Sequence, residues 1–285
     1  MSNIKDIIPW WAKIAGKIVL SRIHFPYELW RRLGVFQHGF MLDPNYATSV
    51  FLRHYERFRS QSPTTFSMLE LGPGDSLSTA LLGASYGASQ ILLVDVGPFA
   101  ERDVTKYAPL QKKLGVPWAS QQFSDIEEML TATNTTYLTN GLGSLRTIPD
   151  ASVDFVFSQA VLEHVSLYEF EATMTELFRI QLPGSIASHR IDLQDHLSHS
   201  LNSLRFSEQR WESPLFVNSG FYTNRLRSGQ IIEIMKRVGY IVTDYVPDMW
   251  KQLPIDKSKL AQPFASMSED NLIVRGMDII LRKPQ

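Results

Sequence analysis

From residue 65 onward, short apolar runs alternate with amphipathic stretches, and this rhythm constrains the fold more than any other feature of the sequence. Strands that alternate with helices are typical of a parallel sheet with crossover connections. Residues 91–96 (ILLVDV) are almost continuously apolar, as expected for a strand that is covered on both faces. We predict strands at residues 66–71, 91–96, 136–139, 152–158, 186–193, 240–245 and 273–281. They predict an α/β fold with a doubly wound, seven-stranded, mostly parallel sheet.

Residues 1–60 differ in character and are predicted to form an N-terminal helical extension of a domain that spans residues 61–285. Asp43 followed by Pro44 predicts the start of a helix that runs to about Phe58 and ends at residues 61–63 (QSP). Residues 1–35 are rich in Lys, Arg and Trp, which leaves two interpretations open. We favour a helix that packs on its own domain. The alternative is a peripheral contact with a membrane or a partner protein.

Composition excludes several classes of protein. The chain has 285 residues with 28 Lys and Arg against 29 Asp and Glu, which argues against a protein that binds nucleic acid without regard to sequence. Cysteine is absent, so disulfides, thiolate metal sites and thiol nucleophiles are excluded. No apolar run approaches the ~20 residues of a spanning helix, and the N-terminus lacks a secretory pattern. We therefore expect a cytoplasmic protein with no nucleic-acid partner.

The most informative segment is residues 68–76 (MLELGPGDS), in which a predicted strand runs through Gly72 and Gly74 into a helix. Glycines allow a ligand to approach the backbone closely, and a helix N-terminus presents unpaired N–H groups. A loop of this kind binds either a dinucleotide or S-adenosylmethionine (SAM). The dinucleotide fingerprint has a third glycine for close packing of helix and strand, and Leu77 occupies that position here.

Two carboxylates accompany this loop. Glu70 can accept a hydrogen bond from the methionyl ammonium of SAM, whereas it would repel a nearby pyrophosphate. Asp95 ends the second predicted strand, where a carboxylate can bind both ribose hydroxyls of either cofactor. The residues thus favour SAM. The alternative function is an NAD(P)-dependent oxidoreductase.

Several segments together resemble the class I SAM-dependent methyltransferases, in particular their bacterial small-molecule branch. The segments are LELGPGDS, LLVDVG, IPDASVDFVFSQAVLEHV, QLPGSIASHRID, and VGY, IVTDY and GMDIILRKP at the end. They follow the family's order over residues 66–282. The resemblance implies a Rossmann-like methyltransferase fold, SAM as the cofactor and methyltransferase activity. A non-catalytic module with this fold, acting through a partner, is the remaining alternative.

The resemblance also implies which residues surround the cofactor. In the family, the glycine loop binds the methionyl part of SAM and the acid after the second strand, here Asp95, binds the ribose. Residues 158–160 would then lie beside the sulfonium. Ser76 stands where the family often has a third glycine, and residues 140–143 (NGLG) replace an acid that often contacts adenine. The full set is Glu70, Gly72, Pro73, Gly74, Asp75, Ser76, Asp95, Val96, Leu142, Ser158, Gln159 and Ala160.

The acceptor should bind beyond the carboxyl ends of the strands, near residues 159–164 and 192–199. A hydroxyl acceptor also needs a base, and His and carboxylates usually supply it. The candidates are His164, Asp192, Asp195 and His196. Asp195, His196 and His199 could converge on a metal only if a helix started there, and their spacing matches no recognised metal motif. We therefore predict no metal site.

Residues 195–227 are predicted to form a lid over the acceptor. The segment combines arginines with aromatic and amide side chains, which suit a polar or anionic acceptor. The candidates for acceptor binding are Arg205, Arg210, Trp211, Tyr222 and Asn224. An alternative is a helical cover whose charges pair with one another. The sequence predicts methyl transfer to a small polar molecule or glycan precursor, at a hydroxyl.

Overall fold

The computed structural model of the protein describes residues 9–20, 40–59, 64–115 and 122–285. Its strands are β1 (Phe66–Leu71), β2 (Ala88–Val94), β3 (Thr135–Leu138), β4 (Val153–Gln159), β5 (Gln181–Asp192), β6 (Ile241–Met249) and β7 (Val274–Arg282). They form one sheet in the order β3-β2-β1-β4-β5-β7-β6. β1 to β5 are parallel, whereas β7 is antiparallel to both of its neighbours. The predicted sheet is confirmed.

Helices cover both faces of this sheet, which explains why its strands are apolar on both sides. The described helices are α1 (Trp10–Leu20), α2 (Pro44–Arg59), α3 (Ser78–Ser85), α4 (Ala108–Leu114), α5 (Ile126–Ala132), α6 (Gly141–Leu145), α7 (Phe170–Ile180), α8 (Glu208–Trp211), α9 (Pro214–Val217), α10 (Ser228–Val238) and α11 (Glu269–Leu272). α2 to α5 pack on one face, and α6, α7 and α10 pack on the other. In β4, Phe155 and Phe157 face the first layer while Val156 faces the second.

Local signals predicted some helix ends correctly. α2 begins as predicted, because Oδ1 of Asp43 accepts hydrogen bonds from the N–H groups of Asn45 (3.0 Å) and Tyr46 (2.8 Å). α10 ends at Gly239, which adopts a φ of 118°. The predicted end of the α2 helix at residues 61–63 lies outside the described residues.

The sequence pattern S-x-x-E at residues 124–127 and 166–169 predicts two capping boxes, and both predictions are wrong. α5 is capped by Asp125 and not by Ser124, since the Asp125 carboxylate accepts from the Glu128 N–H at 2.9 Å. An ionised carboxylate is a stronger acceptor than a hydroxyl and complements the positive end of the helix. α7 begins after Glu169 without a side-chain cap, so Ser166 does not start it.

Strand ends were predicted less well than strand positions. β5 begins five residues before its apolar run, because Gln181 pairs with Val153 of β4. β6 continues to Met249 through Pro247, which an edge strand tolerates since one side of it lacks a partner strand. The carboxyl ends of β1, β2, β4 and β5 lie at one edge of the sheet, which brings the predicted site residues together.

Residues 193–227 connect β5 to α10 and are called the lid below. With Ile14 of α1, the lid forms an apolar cluster separate from the two sheet cores, built from Leu197, Trp211, Phe216, Phe221 and Tyr222. The structure therefore shows α1 packed on its own protein. Among the described residues, no helix has both the length and the apolar character needed to cross a membrane.

Candidate active site

The glycine loop follows directly from β1. Gly72 and Gly74 adopt φ values of 75° and 63°, a region that glycine enters without strain. A Cβ on Gly72 would lie 2.4 and 2.6 Å from the two methyl groups of Val161, so only glycine fits there. The N–H of Gly74 donates to Oδ2 of Asp95 at 2.9 Å. The loop and the carboxylate at the end of β2 thus form one unit, with Pro73 and Asp75 buried inside it.

Leu77 occupies the position where the dinucleotide fingerprint has its third glycine. Leu77 is 1% exposed and lies in the core just before α3. Its N–H donates to the hydroxyl of Tyr107 at 3.1 Å. A side chain therefore occupies the space that the dinucleotide fingerprint keeps open. Nearby, the hydroxyls of Ser76 and Ser78 donate to the carbonyl oxygen of Met41, which ties the loop to the segment before α2.

Glu70 is a buried carboxyl at the carboxyl-terminal end of β1. Its Oε2 has no hydrogen-bond partner in the described part of the chain. Burial raises the pKa of Glu70 to about 8, and the neighbouring charge of Asp95 adds to the rise. An ammonium group placed beside Oε2 would both satisfy the oxygen and favour its ionised form. The site therefore fits the methionyl end of SAM.

The ribose and adenine side of the site is preorganised. Asp95 accepts from the N–H of Val96 at 2.7 Å as well as from Gly74, so backbone groups fix both carboxylate oxygens. The carboxylate is thus oriented at the strand end where a cofactor ribose is expected to bind. The Val96 side chain is 76% exposed and lies against Gly141, one residue before the half-buried Leu142 of α6. An exposed apolar side chain beside the carboxylate suits the face of an adenine ring.

The end of β4 meets a buried polar cluster. The hydroxyl of Ser158 lies 2.7 Å from Nδ1 of His189 on β5, so that side chain is engaged inside the sheet. The side chain of Gln159 is only partly buried, and its Oε1 lies 3.2 Å from Nε2 of His54. Ala160 is exposed with a φ of 54°. Of the three predicted residues, Gln159 has the side chain best placed for contact with the cofactor or acceptor.

Sequence reasoning missed His54. It is fully buried on α2, and its Nδ1 lies 2.8 Å from the hydroxyl of Ser188. Burial lowers the pKa of His54 to about 3, so the ring is neutral. Because the carbonyl of Gln159 can only accept, Nε2 of His54 donates to it and Nδ1 accepts from Ser188. A signal existed, since residue 54 falls on the same helix face as the apolar Val50 and Phe51.

Two of the four candidate bases form a pair. His164 and His196 lie 32 residues apart in the chain, yet their Nε2 atoms are 3.1 Å apart. Nδ1 of His164 lies 2.9 Å from the carbonyl oxygen of Tyr222. Burial lowers the pKa of His196, against the opposing charges of Asp192 and Asp195. The structure thus brings two of the predicted histidines into contact.

The two aspartates have different surroundings. The carboxylate of Asp195 is buried and accepts from the N–H groups of Leu197 (3.0 Å), Ser198 (2.8 Å) and Asn202 (2.5 Å). These contacts show that Asp195 stabilises a turn. The metal site considered from the sequence required a helix at this point. Asp192 accepts from the backbone and side chain of Gln194 and stays half-buried. In the part of the chain that the structure describes, no three His, Asp or Glu side chains are placed to hold a metal ion.

Three of the predicted acceptor-binding residues are buried and hydrogen-bonded within the protein. Trp211 is fully buried and donates from Nε1 to the carbonyl oxygen of Thr223 at 2.7 Å. Asn224 is buried and donates from Nδ2 to two carbonyl oxygens of the segment after β4. Tyr222 is also buried, with its hydroxyl bonded to Glu212 at 2.8 Å. These contacts build the lid itself, and acceptor binding by the three residues stays a prediction.

The two predicted arginines remain at the surface of the lid. Nε of Arg205 donates to Asn202 at 3.0 Å, and its guanidinium lies 5.1 Å from the centre of the Trp10 ring. Arg210 is exposed, with its guanidinium 5.7 Å from the centre of the Phe206 ring. Both keep N–H groups that can bind a polar acceptor.

Glu163 is a second buried carboxyl that the sequence did not reveal. Neither of its carboxylate oxygens has a hydrogen-bond partner in the described residues. Burial raises the pKa of Glu163 to about 8, and the charge of Asp192 adds to the rise. The charged neighbours that act on this carboxyl are Asp192 and Arg190 of β5, so Glu163 lies buried near the end of that strand.

Comparison with known proteins agrees with this geometry. A family model described as a methyltransferase domain matches residues 69–188. A comparison with curated proteins gives no match. A SAM-dependent methyltransferase from Methanosarcina mazei is similar in structure, with a TM-score of 0.50 and 16% identity, over 81% of this chain and 98% of that chain.

Two other solved structures are more distant. A SAM-dependent methyltransferase from Mesorhizobium loti has a TM-score of 0.45 and 14% identity, over 81% of this chain and 97% of that chain. Phosphoethanolamine N-methyltransferase 2 from Haemonchus contortus, in complex with SAM, has a TM-score of 0.48 and 17% identity. That match covers 83% of this chain and 53% of that one.

The family match runs from β1 into β5, the part of the chain that builds the glycine loop, Asp95 and the end of β4. The Methanosarcina mazei protein shares the fold over 81% of this chain. Residues 69–188 match a methyltransferase domain, and the chain has the fold of a SAM-dependent methyltransferase.

Proposed function

We propose that the protein transfers the methyl group of SAM to a hydroxyl of a small polar molecule or glycan precursor, with His196 as the base. SAM supplies a methyl group that its sulfonium already activates, so much of the rate enhancement can come from alignment. What a hydroxyl acceptor needs from this chain is a group that removes its proton. The observation that supports His196 is its contact with His164.

The partners of the two rings determine where the protons are. The carbonyl of Tyr222 can only accept, so Nδ1 of His164 carries a hydrogen. In a neutral His164, Nε2 is then an acceptor. The hydrogen between the two rings therefore belongs to Nε2 of His196. This leaves the lone pair of His196 on Nδ1, for which the described residues offer no hydrogen-bond partner.

The surroundings of His196 suit a base at neutral pH. Burial lowers the pKa of the ring, so Nδ1 is unprotonated at pH 7. The carboxylates of Asp192 and Asp195 favour the imidazolium that forms when the ring takes a proton. In the reaction the hydroxyl proton moves to Nδ1, the O–CH₃ bond forms and the S–CH₃ bond breaks. The products are the methyl ether and S-adenosylhomocysteine.

The lid supports a polar acceptor. Arg205 and Arg210 present guanidinium groups next to aromatic rings at its surface. Such a combination binds hydroxyls, carboxylates or phosphates through the guanidinium and a sugar face through the ring. A small metabolite or an activated sugar has this mixture of groups.

The test combines an acceptor screen with a pair of matched variants. Purified protein is incubated with SAM labelled in its methyl group and with sugars, nucleotide sugars and hydroxylated metabolites. His196→Asn should then lower turnover of the acceptor found by about 10²–10⁴-fold, without changing affinity for S-adenosylhomocysteine. His199→Asn is the control, since His199 is exposed and has a φ of 52°, which asparagine tolerates.

The pH profile provides a second readout. The base must be unprotonated, and the pKa of His196 lies below its usual 6.5, so turnover should rise with pH below 6.5 and level off by pH 7. A methylated amine or carbon as the product, or full turnover in His196→Asn, would contradict the proposal. Neither result would affect the assignment of SAM as the cofactor.

A further inference from the structure

Gln159 and Glu70 lie on the same face of the sheet, at the ends of two neighbouring strands. Glu70 of β1 pairs in register with Phe157 of β4, and Gln159 follows Phe157 by two residues. Residues two apart on a strand face the same side, neighbouring strands are about 4.8 Å apart, and each residue rises about 3.3 Å. The Cα atoms of Glu70 and Gln159 are therefore about 8 Å apart on the face that α2 covers.

The amide of Gln159 is held at one end. Its Oε1 lies 3.2 Å from Nε2 of His54, while the side chain as a whole is only partly buried. In the part of the chain that the structure describes, the amide nitrogen has no hydrogen-bond partner. Oxygen and nitrogen lie on different sides of the amide carbon, so a contact that holds the oxygen at α2 turns both N–H donors away from His54.

His54 is itself fixed in place. Its ring is fully buried and stacks on the ring of Phe157, with 5.0 Å between the centres and 27° between the planes. Its second nitrogen, Nδ1, lies 2.8 Å from the hydroxyl of Ser188 on β5. Both nitrogens are thus engaged, and the ring cannot turn without losing a contact. His54 therefore determines the orientation of the amide.

The neighbouring cation on this face of the sheet is engaged elsewhere. Arg190 of β5 pairs in register with Gln159. Its guanidinium lies 3.2 Å from the carboxylate of Asp248 on β6 and 3.4 Å from that of Asp278 on β7. These two carboxylates draw the charge of Arg190 away from the end of β4. The N–H donors of Gln159 are left for a ligand.

We propose that the amide nitrogen of Gln159 donates to the carboxylate of the methionyl group of SAM, and that His54 is the positioning residue that directs the amide. The ammonium and the carboxylate of an amino acid are bonded to one carbon. A carboxyl group that accepts at Glu70 and an amide that donates at Gln159 are complementary to this pair. The inference rests on the ammonium binding at Glu70. It does not depend on the acceptor or on His196.

The experiment is calorimetric titration of the full chain with two ligands. One is S-adenosylhomocysteine. The other is 5′-(3-aminopropylthio)-5′-deoxyadenosine, which keeps the adenosine, the sulfur and the ammonium and lacks the carboxylate. We expect the parent protein to bind S-adenosylhomocysteine at least about tenfold more tightly, because a hydrogen bond to a charged group is strong. Equal affinity for the two ligands would overturn the proposal.

Two variants of Gln159 test the contact with the carboxylate. Gln159→Glu keeps an acceptor for His54 and loses both donors, so its affinity for S-adenosylhomocysteine should fall about tenfold or more. Its affinity for the carboxylate-free ligand should be unchanged or higher, since that ligand carries only the ammonium. Gln159→Met has a similar shape and no donor, and it should lower the preference for S-adenosylhomocysteine without adding a charge. An equal loss of affinity for both ligands would refute the contact.

Two variants of His54 test its role in positioning. His54→Asn can reach Ser188 but not Gln159, and it should weaken S-adenosylhomocysteine binding about 2–10-fold, because binding must then order the amide. Its affinity for the carboxylate-free ligand should not change. His54→Gln carries an N–H donor at the distance of Nε2, and it should restore the preference for S-adenosylhomocysteine.

A core variant of the same helix is the control for stability. Phe58→Leu removes a ring that stacks on Phe155 of β4, with 4.8 Å between the centres. It should lower the melting temperature and leave the ratio of the two affinities unchanged. A purely structural role for His54 would be shown if Phe58→Leu and His54→Asn changed this ratio equally, or if His54→Gln behaved as His54→Asn does.

Discussion

The cofactor side and the acceptor side of the site are built in different ways. On the cofactor side, Glu70, Gly72 and Gly74 lie within five residues, and Asp95 joins them through one hydrogen bond to the loop. On the acceptor side, His164 is fixed by Tyr222, 58 residues later, and by His196, 32 residues later. One side is a continuous motif at strand ends, and the other is an assembly of distant segments.

This difference explains which predictions succeeded. A strand end and a turn place their groups through the backbone, whose geometry is fixed by local sequence. A side chain in the lid is placed by whatever packs against it. Trp211 and Tyr222 have the side chains expected of a sugar-binding residue, but packing has buried both.

The largest expected effect concerns the local motif itself. Gly72→Ala introduces a methyl group in contact with Val161 and forces alanine to a φ of 75°, at a cost of about 2–5 kcal/mol in the free energy of unfolding. S-adenosylhomocysteine binding should fall below detection in calorimetric titration.

The matched control for this variant is Gly115→Ala. Gly115 has a φ of 62°, and no described atom lies within 4 Å of an added Cβ. Gly115→Ala should lower the free energy of unfolding by about 1–2 kcal/mol, the cost of placing alanine at a positive φ, and should keep full cofactor affinity. If both variants were destabilised equally, the close approach of Val161 would not explain the glycine.

The second prediction compares one aspartate from each side. Asp95→Ala should weaken S-adenosylhomocysteine binding by about tenfold or more, because a charge-assisted hydrogen bond contributes roughly 1.5–3 kcal/mol. Asp195→Ala should leave that affinity unchanged and destabilise the lid, since three backbone N–H groups lose their acceptor. Calorimetry and thermal unfolding on both variants measure the two effects. Weakened cofactor binding in Asp195→Ala would mean that the two sides are coupled.

The third prediction concerns the pH dependence of stability. Glu70 and Glu163 have pKa values of about 8 in the folded protein, against 4.5 in an exposed carboxyl. The folded state therefore keeps protons that the unfolded state releases, and stability falls as pH rises from 4.5 to 8. Buried His54 and His189, with pKa values of about 3, have the opposite effect below pH 6.5. Above pH 6.5 both histidines are neutral in the folded and the unfolded state. Of these four groups, only Glu70 and Glu163 then make stability depend on pH.

Urea unfolding between pH 6.5 and 8 should show this loss, up to about 1.4 kcal/mol per pH unit for each carboxyl. Glu70→Gln and Glu163→Gln should each remove the contribution of one carboxyl to the decrease of unfolding free energy with pH. S-adenosylhomocysteine, which keeps the ammonium, should reduce the slope in Glu163→Gln but not in Glu70→Gln. An equal response to the ligand in both variants would contradict the assignment of Glu70 to the ammonium.

Much of the fold followed from the sequence, because apolar periodicity is a direct consequence of burial. The position of β1 was predicted to the residue. The limits of β5 and β6 were missed, because pairing with a neighbouring strand extends them beyond their apolar runs. The cap of α5 was missed because Asp125 takes the place predicted for Ser124, whereas α7 has no side-chain cap.

The sequence by itself determined the sheet and the cofactor. They depend on strand periodicity and on one short loop, and the residues of that loop themselves set its conformation. Only the tertiary structure decided that Trp211 supports the lid, that His54 holds Gln159, and that His164 and His196 face each other. Each of these contacts joins residues from different elements of the fold. Their proton positions and burial therefore depend on packing, and no spacing within the chain could have specified them.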